Sequence, residues 1–474
     1  MYTLLVLADD LTGALDTGVQ FAKRGIPTQV CPGPQGPGAP DTGEGRADGT
    51  LVINTGTRHC SSGEARRVIA GILERYSAVP YVYKKTDSTL RGNIGAELEA
   101  LIRARNPDVL PFIPAYPNLG RSTRQGRQYL DGVPIDKTAA ASDALNPVRH
   151  SFIPDIIAEE SELPVRVVSG NGFDWISGEV PGDTRDAPGG TAGQGRRCAG
   201  RPEIRVYNAE SNADLQDIAR GLGERKLLGT LAGCAGFAEF LVDIIPFAGP
   251  GKASPSVGSL ETERRLPAAG RPALIVSGSR HPVSLAQVKA ALDAGIPALA
   301  AEGDKLLRPG WLAGEEAAAI VSRGGELLRA GGPCILGTRI SLGRGEAEPP
   351  RSPGAAALAH LSPGKDQEPP RGRGVAALLG ELAARIFTAA GPVHLVVFGG
   401  DTLLGITEAL GCRLLRPLRE IRPGIVLARA ETPGGSIFIA AKSGAFGEPG
   451  IIAELTGFFG GGPDAAAFTG RREA

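Results

Sequence analysis

The apolar run Leu4 to Ala8 stops abruptly at Asp9-Asp10, and short apolar runs ending in charged or small polar residues recur along the chain. Tyr2 to Ala8 predicts a buried strand, Gly13 to Arg24 a helix and Thr28 to Val30 the next strand, the alternation that builds a parallel sheet. Leu51 to Asn54, Tyr81 to Lys85 and Val109 to Ile113 continue the strands, with helices around Glu64 to Tyr76 and Ile94 to Arg103. The same rhythm predicts a strand over Ile204 to Tyr207, a helix over Asn212 to Leu222, a strand over Leu227 to Thr230 and a helix over Gly233 to Val242. A second series opens with a strand at Ala273 to Val276 and a helix at Pro282 to Ala294. It resumes with a helix over Val375 to Ala389, a strand over His394 to Phe398 and a helix opening at about Asp401. A strand over Ile437 to Ala441 and a helix over Pro449 to Phe458 close it.

Between these elements lie segments dense in Gly and Pro: Pro32 to Gly49, Asp174 to Arg201, Phe247 to Pro272 and Gly343 to Gly374. They take up most of the excess in a chain with 68 Gly and 38 Pro, and they read as loops or insertions that bury no core. At 474 residues the chain exceeds what one core usually supports, so two domains are expected. The expected boundaries are 1–246, a linker over 247–272, and 273–474 with an insertion at about 343–374. The fold class is α/β, as two α/β domains with largely parallel sheets and an active-site cleft between them.

Charge changes the picture by exclusion. Fifty-one Lys and Arg balance fifty-one Asp and Glu, which argues against an extended nucleic-acid surface and makes any anion site local. The cysteines at 31, 60, 198, 234, 334 and 412 are too dispersed for a zinc knuckle or redox pair and read as reduced thiols. Leu4 to Ala8 is too short for a signal-peptide core, and no apolar stretch nears the roughly 20 residues of a membrane span. The expectation is a soluble, cytoplasmic protein, with no nucleic-acid or membrane partner and with a homodimer left open.

Open α/β sheets bind ligands beyond the carboxyl ends of their strands, so the residues just past each apolar run carry the chemistry. Lys84-Lys85-Thr86-Asp87-Ser88-Thr89-Leu90-Arg91-Gly92-Asn93 follows the strand Tyr81-Val82-Tyr83 with cations, a carboxylate and hydroxyls suited to a small anionic polyol. Asp9, Asp10 and Asp16 follow the first strand, and Arg58 follows Leu51 to Asn54. Asp9-Asp10 also reads as a helix cap, and Asp87 as the cap of its own turn. Gly120-Arg121 is a further anion contact or a surface arginine.

In the second series, Gly399-Gly400-Asp401-Thr402 joins a strand to a helix, where backbone amides and the positive helix end converge on a phosphate. Ser277-Gly278-Ser279 and Lys442-Ser443-Gly444-Ala445-Phe446-Gly447 are two more glycine-bearing strand ends, and three of them point to a nucleotide. Each has a structural alternative: a capped turn at Gly399-Gly400, a hydrogen-bonding His281, an exposed strand-end Lys442. The chain holds neither a GxxxxGK P-loop nor a GxGxxG after a strand, which removes the main support for a P-loop ATPase or a dinucleotide dehydrogenase.

ADDLTGALDTG at Ala8 to Gly18, NTGTRHC at Asn54 to Cys60, KKTDSTLRGN at Lys84 to Asn93 and PVRHS at Pro147 to Ser151 resemble the N-terminal half of the four-carbon acid sugar kinases. VSGSRHPVSLAQV at Val276 to Val288, FGGDTLLGITEALG at Phe398 to Gly411 and KSGAFG at Lys442 to Gly447 resemble that family's nucleotide-binding half. The resemblance implies phosphorylation of the terminal hydroxyl of a four-carbon sugar acid (threonate, erythronate or a 3-dehydrotetronate) with ATP and Mg²⁺. It implies nucleotide contacts from Ser279, Gly399, Gly400, Asp401, Thr402 and Gly444; Ser277, His281 and Lys442 are candidates from their own place at the same strand ends, Lys442 as a charge against the phosphates. Asp9, Asp10, Asp16, Arg58, Lys85, Asp87 and Arg91 would bind the sugar acid, and Lys85, Asp87 and Arg91 would also serve catalysis. Metal ligands are not assigned. A kinase of this fold for another small hydroxy acid, and a non-catalytic sugar-acid or nucleotide sensor, stay open as alternatives.

Overall fold

The computed structural model describes residues 1–33, 49–143, 145–168, 201–247, 270–343, 374–444 and 446–461, and the four Gly- and Pro-rich segments fall largely outside them. The chain gathers into two compact units, one of Met1–Ser61 with Phe247–Ala474 and one of Ser62–Pro246.

The first unit begins with strand β1 (Leu4–Ala8), helix α1 (Leu11–Ala22), β2 (Thr28–Cys31) and β3 (Thr50–Asn54). The second unit follows with α2 (Ser62–Arg75), β4 (Tyr81–Lys85), α3 (Ile94–Arg105), β5 (Val109–Ile113), β6 (Arg121–Arg124), β7 (Arg127–Leu130) and β8 (Val133–Pro134). It ends with α4 (Ile153–Ala158), β9 (Val165–Val168), β10 (Glu203–Tyr207), α5 (Asn212–Glu224), β11 (Thr230–Gly233) and α6 (Ala235–Ile244). The chain then returns to the first unit with β12 (Ala273–Ser277), α7 (Pro282–Asp293), β13 (Ala298–Ala301), α8 (Gly303–Leu306), α9 (Glu315–Arg329), β14 (Cys334–Thr338) and α10 (Val375–Ala390). The last elements are β15 (His394–Phe398), α11 (Gly400–Ala409), β16 (Leu414–Arg422), β17 (Ile425–Thr432), β18 (Gly435–Lys442) and α12 (Ile451–Gly460).

In the first unit the strand order is β13-β14-β12-β15-β18-β17-β16-β2-β3-β1. The two flanks are parallel, and β16 and β17 run antiparallel between them. A single register pair, Leu415 opposite Val30, joins β16 to β2. Its strands β1, β12 and β15 are buried along their whole length, as parallel strands covered on both faces must be. The second unit carries a parallel sheet in the order β4-β11-β5-β10-β9 and a small antiparallel sheet of β6, β7 and β8.

The strands and helices read from the apolar runs mostly stand where expected, whereas β9, β13 and β14 with α4, α8 and α9 lie in stretches where no element was read, and three further features depart from that reading. The strand expected at Leu227 to Thr230 instead starts at Thr230, because Lys226 is left-handed (φ 59°) and the Leu227 amide closes the preceding helix on Leu222. The β6-β7-β8 sheet rests on two tight turns, Gln125-Gly126 and Asp131-Gly132, whose central residues all have positive φ, the geometry that hairpin twist favours. In the first unit, Pro423-Gly424 and Pro433-Gly434 turn β16 into β17 and β17 into β18. These turns interrupt the strand-helix alternation that the apolar runs suggest.

Helices α10 and α11 meet through glycine. A Cβ on Gly380 would lie 2.6 Å from the backbone of Gly405 and Ile406, and one on Gly405 would lie 2.7 Å from Ala377 Cα. Gly380→Ala is therefore expected to destabilise the protein by about 1–3 kcal/mol through overpacking, outweighing the roughly 1 kcal/mol by which alanine favours a helix. Urea unfolding of the variant checks this, and an unchanged or raised midpoint would contradict the close approach.

Candidate functional site

In the first unit Phe398 on β15 is the register partner of Ser277 on β12 and of Lys442 on β18. The three glycine-bearing turns therefore leave the sheet at one level and touch each other. A Cβ on Gly278 would meet Thr402 Oγ1 at 2.2 Å, and one on Gly444 would meet Ser279 Oγ at 3.0 Å. Gly399 has φ 104°, open to glycine at little cost, and it caps α11. Asp401 lies in the first turn of α11, its side chain 59% exposed, while Thr402 is buried. His281 caps α7: its Nδ1 accepts from the Val283 amide at 3.3 Å, and its own amide donates to Ser279 Oγ at 3.2 Å. Ser277 is fully buried and Ser341 Oγ donates to its carbonyl at 2.6 Å.

The N-terminal acidic motif belongs to the same unit. Asp10 caps α1, its Oδ1 accepting from the Gly13 amide at 2.9 Å and its Oδ2 from Thr12 Oγ1 at 2.7 Å. Arg58 donates through Nε to Asp9 Oδ2 at 2.7 Å and through Nη1 to Asp10 Oδ2 at 2.9 Å. A Cβ on Gly400 would lie 3.0 Å from Asp10 Oδ2 and 3.3 Å from Thr12 Oγ1, so the Gly399-Gly400 turn packs directly on this cluster. His59 Nε2 stands 3.6 Å from Asp401 Oδ2 and links the turn after β3 to the start of α11. Asp16 sits further along α1, half-buried.

Lys442 is fully buried at the end of β18. Its Nζ donates to Ser443 O at 2.9 Å, Gly444 O at 3.2 Å and Ser284 Oγ at 3.3 Å, and lies 4.6 Å from the centre of the Phe398 ring. Burial pulls its pKa down to about 7.

The second unit carries the other set of residues. Lys85 on β4, Gly233 on β11 and Ile113 on β5 lie in register, so Thr86-Asp87, Cys234 and Pro114 leave that sheet together. Asp87 accepts five hydrogen bonds: from Thr89 N, Thr89 Oγ1, Arg91 N and Arg91 Nε on Oδ2, and from Arg91 Nη2 on Oδ1. Arg91 also donates through Nη1 to Asp143 Oδ2 at 3.1 Å. Amides of Asn146 and Leu145, with the Arg91 charge, hold the Asp143 carboxyl below its ordinary range against the opposing effect of burial. Beneath this segment Lys84 pairs with Glu97 at 3.0 Å, both buried, and donates to Lys85 O at 2.8 Å. Lys85 is itself buried. Arg121 is buried and donates to Leu119 O; burial lowers its pKa while Asp87 and Asp131 oppose the shift.

Asp9, Asp10 and Arg58 thus share a compact unit with the three glycine-bearing turns, whereas Lys85, Asp87 and Arg91 belong to the other unit. Asp143, Glu97, Ser284 and Gln287 are participants that reading of the sequence missed. For the last two a signal existed, since positions 284 and 287 are three apart and share one face of the predicted helix. For Asp143 there was none, since it lies 52 positions along the chain from Arg91.

The chain matches the family model for a sugar-binding N-terminal domain over residues 4–241 and that for a nucleotide-binding C-terminal domain over residues 274–452. It is 31% identical over 456 residues to a D-threonate kinase of Salmonella typhimurium, covering 95% of this chain and 97% of the relative. A D-threonate kinase of Bordetella bronchiseptica is 30% identical over 460 residues, covering 94% and 95%. A 3-oxo-tetronate kinase of Methylobacterium radiotolerans is 27% identical over 453 residues, covering 93% and 95%. A solved structure from Salmonella typhimurium shares the fold with a TM-score of 0.68 at 20% identity, covering 97% of this chain and 99% of that one.

The packing of Gly400 and the burial of Lys442 each have a measurable consequence. Gly400→Val would push branched carbons against Asp10 and Thr12, and it is expected to weaken ADP binding roughly tenfold or more, the equivalent of one lost charged hydrogen bond. An undiminished ADP thermal shift on folded variant would remove Gly400 from the site. Between pH 7 and the ordinary lysine range the unfolded chain binds a proton that folded Lys442 releases, so this group makes stability rise with pH in that window. Melting curves of Lys442→Met should lack that rise, and parallel pH profiles for variant and parent would contradict the shift.

Proposed function

This chain belongs to the four-carbon acid sugar kinase family, and we propose that it transfers the γ-phosphoryl group of ATP to the terminal hydroxyl of a four-carbon sugar acid. The observation that carries the reading is the level, mutually packed set of turns after β12, β15 and β18, in a chain whose full length matches such kinases. D-threonate is the first acid to test, since two relatives at 30% identity or more over nearly the whole chain are D-threonate kinases.

On this reading Ser279, Gly399, Gly400, Asp401, Thr402 and Gly444 face the nucleotide, with the amides at the start of α11 directed at phosphate. In the reaction the acid's hydroxyl oxygen forms the new bond to the γ-phosphorus as the bond to the β-γ bridging oxygen breaks, and the hydroxyl proton passes to a base. Such transfers rest mainly on positioning and charge stabilisation. Asp9, Asp10 and Arg58 pack on the Gly399-Gly400 turn and fix its position within the same unit. Lys85 and Arg91 supply positive charge for the acid's carboxylate, and Asp87 keeps the Arg91 fork oriented.

Among the described residues no cluster of three or more acidic, His or Cys side chains could hold a metal. Mg²⁺ keeps waters and phosphate oxygens and asks for one or two carboxylates. Asp401, exposed at the nucleotide turn, is the residue proposed to meet it. When bound, the ion neutralises phosphate charge.

The test is an ADP-release assay over D-threonate, L-threonate, D- and L-erythronate and 3-dehydrotetronates. Turnover of at least one acid is expected, and none with any would overturn the proposal. Arg91→Lys should lower affinity for the accepted acid about tenfold to a hundredfold, because an ammonium cannot reproduce the planar fork. Calorimetry should find its ADP affinity retained, and a matching loss for ADP would contradict the role given to Arg91.

A further inference from the structure

The turn after β18 is held by its carbonyls. Lys442 Nζ donates to the carbonyls of Ser443 and Gly444, at 2.9 and 3.2 Å. Ser284 Oγ on α7 donates to Gly444 O at 2.9 Å and accepts from Lys442 at 3.3 Å. One turn further along α7, Gln287 Nε2 donates to Phe446 O at 2.9 Å and Gly447 O at 2.6 Å. Lys442, Ser284 and Gln287 are all fully buried, so none presents its side chain to solvent. An ammonium has three protons, and Lys442 has three oxygen acceptors.

In a trans peptide the C=O and the following N–H point in opposite directions, and the described chain holds no cis bond. Drawing the carbonyls of Ser443, Phe446 and Gly447 toward α7 and Lys442 therefore turns the amides of Gly444, Gly447 and Glu448 away from them. Successive amides aimed outward make a concave site for an anion. Gly447 accommodates this with φ 84°, and a Cβ there would lie 3.2 Å from Gln287 Nε2. The turn lies against Ser279 and His281 of the neighbouring strand end.

We propose that Lys442, Ser284 and Gln287 are positioning residues that clamp the carbonyls of the 443–447 turn and so present its amides to the phosphates of the nucleotide. Lys442 acts through the turn and does not touch phosphate itself. The proposal rests on the assignment of these turns to a nucleotide.

The variants Lys442→Met, Ser284→Ala and Gln287→Leu test it, each by ADP calorimetry and by hydrogen exchange over residues 443–448 in ligand-free protein. Lys442→Met and Gln287→Leu are expected to weaken ADP binding about tenfold, with D-threonate binding kept and exchange of the turn accelerated at least about tenfold without nucleotide. Ser284→Ala should give a smaller loss in the same direction, and its effect should not add to that of Lys442→Met, since both residues hold Gly444 O. If only Lys442→Met loses ADP affinity and exchange of the turn is unchanged, Lys442 is a direct phosphate contact and the clamp is overturned. Should Lys442→Met fail to fold, Gln287→Leu with parental ADP affinity and parental exchange overturns it equally. Parental protein that binds no ADP, while the variants still show accelerated exchange, overturns the nucleotide reading and with it the phosphate role, leaving a structural clamp.

Discussion

The pairing of Arg58 with Asp9 and Asp10 is the interaction on which the first unit's ligand-facing edge depends. The guanidinium is 11% exposed and its carboxylate partners 2% and 15%, so all three charges are largely removed from water. A buried ion pair contributes little net stability over an apolar equivalent, yet removing one partner costs about 3–5 kcal/mol because the other charge is left uncompensated. The three residues are thereby committed to one arrangement. That arrangement ties the end of β1, the start of α1 and the turn after β3 together, and the first residue of α11 packs on the Asp10 carboxylate. A carboxylate near the amino ends of two helices is electrostatically favoured by both. Geometry at the N-terminal motif and at the glycine turn is therefore set by one cluster.

The second unit solves a similar problem differently. Arg91 has five N–H groups, of which Nε and one on Nη2 are engaged by Asp87 and one on Nη1 by Asp143. Asp87 is in turn fastened by Thr89 and the Arg91 amide, so the fork is fixed before any ligand arrives. A preoriented guanidinium loses less side-chain entropy on binding than a free one. An aspartate four residues before the arginine thus sets the plane of its guanidinium.

Much of this was legible in the chain because parallel strands buried on both faces write themselves as continuous apolar runs, and ligands bind just beyond the carboxyl end of each run. The Asp9-Asp10, Lys84 to Asn93, Gly399-Gly400 and Lys442 to Gly447 segments were found this way. Register was not legible: nothing local to Ser277, Phe398 or Lys442 says that they are level. The hairpins at Asp131-Gly132 and Pro423-Gly424 carried turn signals; β6, β7 and β16 contain arginines and are only partly buried, and the buried run Ile425 to Ala428 that opens β17 went unread because an arginine-bearing strand precedes it. Sequence order also hid which elements pack together. The expected boundary at 246 follows the chain, while in space β1 to β3 group with the C-terminal strands, α1 packing on β16 and α11.

Charge at the nucleotide turns is governed by the same limits. A lysine at the end of a fully buried strand can keep its ammonium only by finding oxygen partners nearby, and the nearest are the carbonyls of the turn it begins. Meeting that need orients the turn. Its peptide dipoles then direct their positive ends away from the lysine, so the turn presents an array of amides rather than a point charge. An amide array is directional and short in range, and it discriminates the oxygens of a phosphate by position. In the proposed clamp a chain that lacks a P-loop lysine thus relies on oriented backbone at this strand end, with the lysine buried one layer beneath.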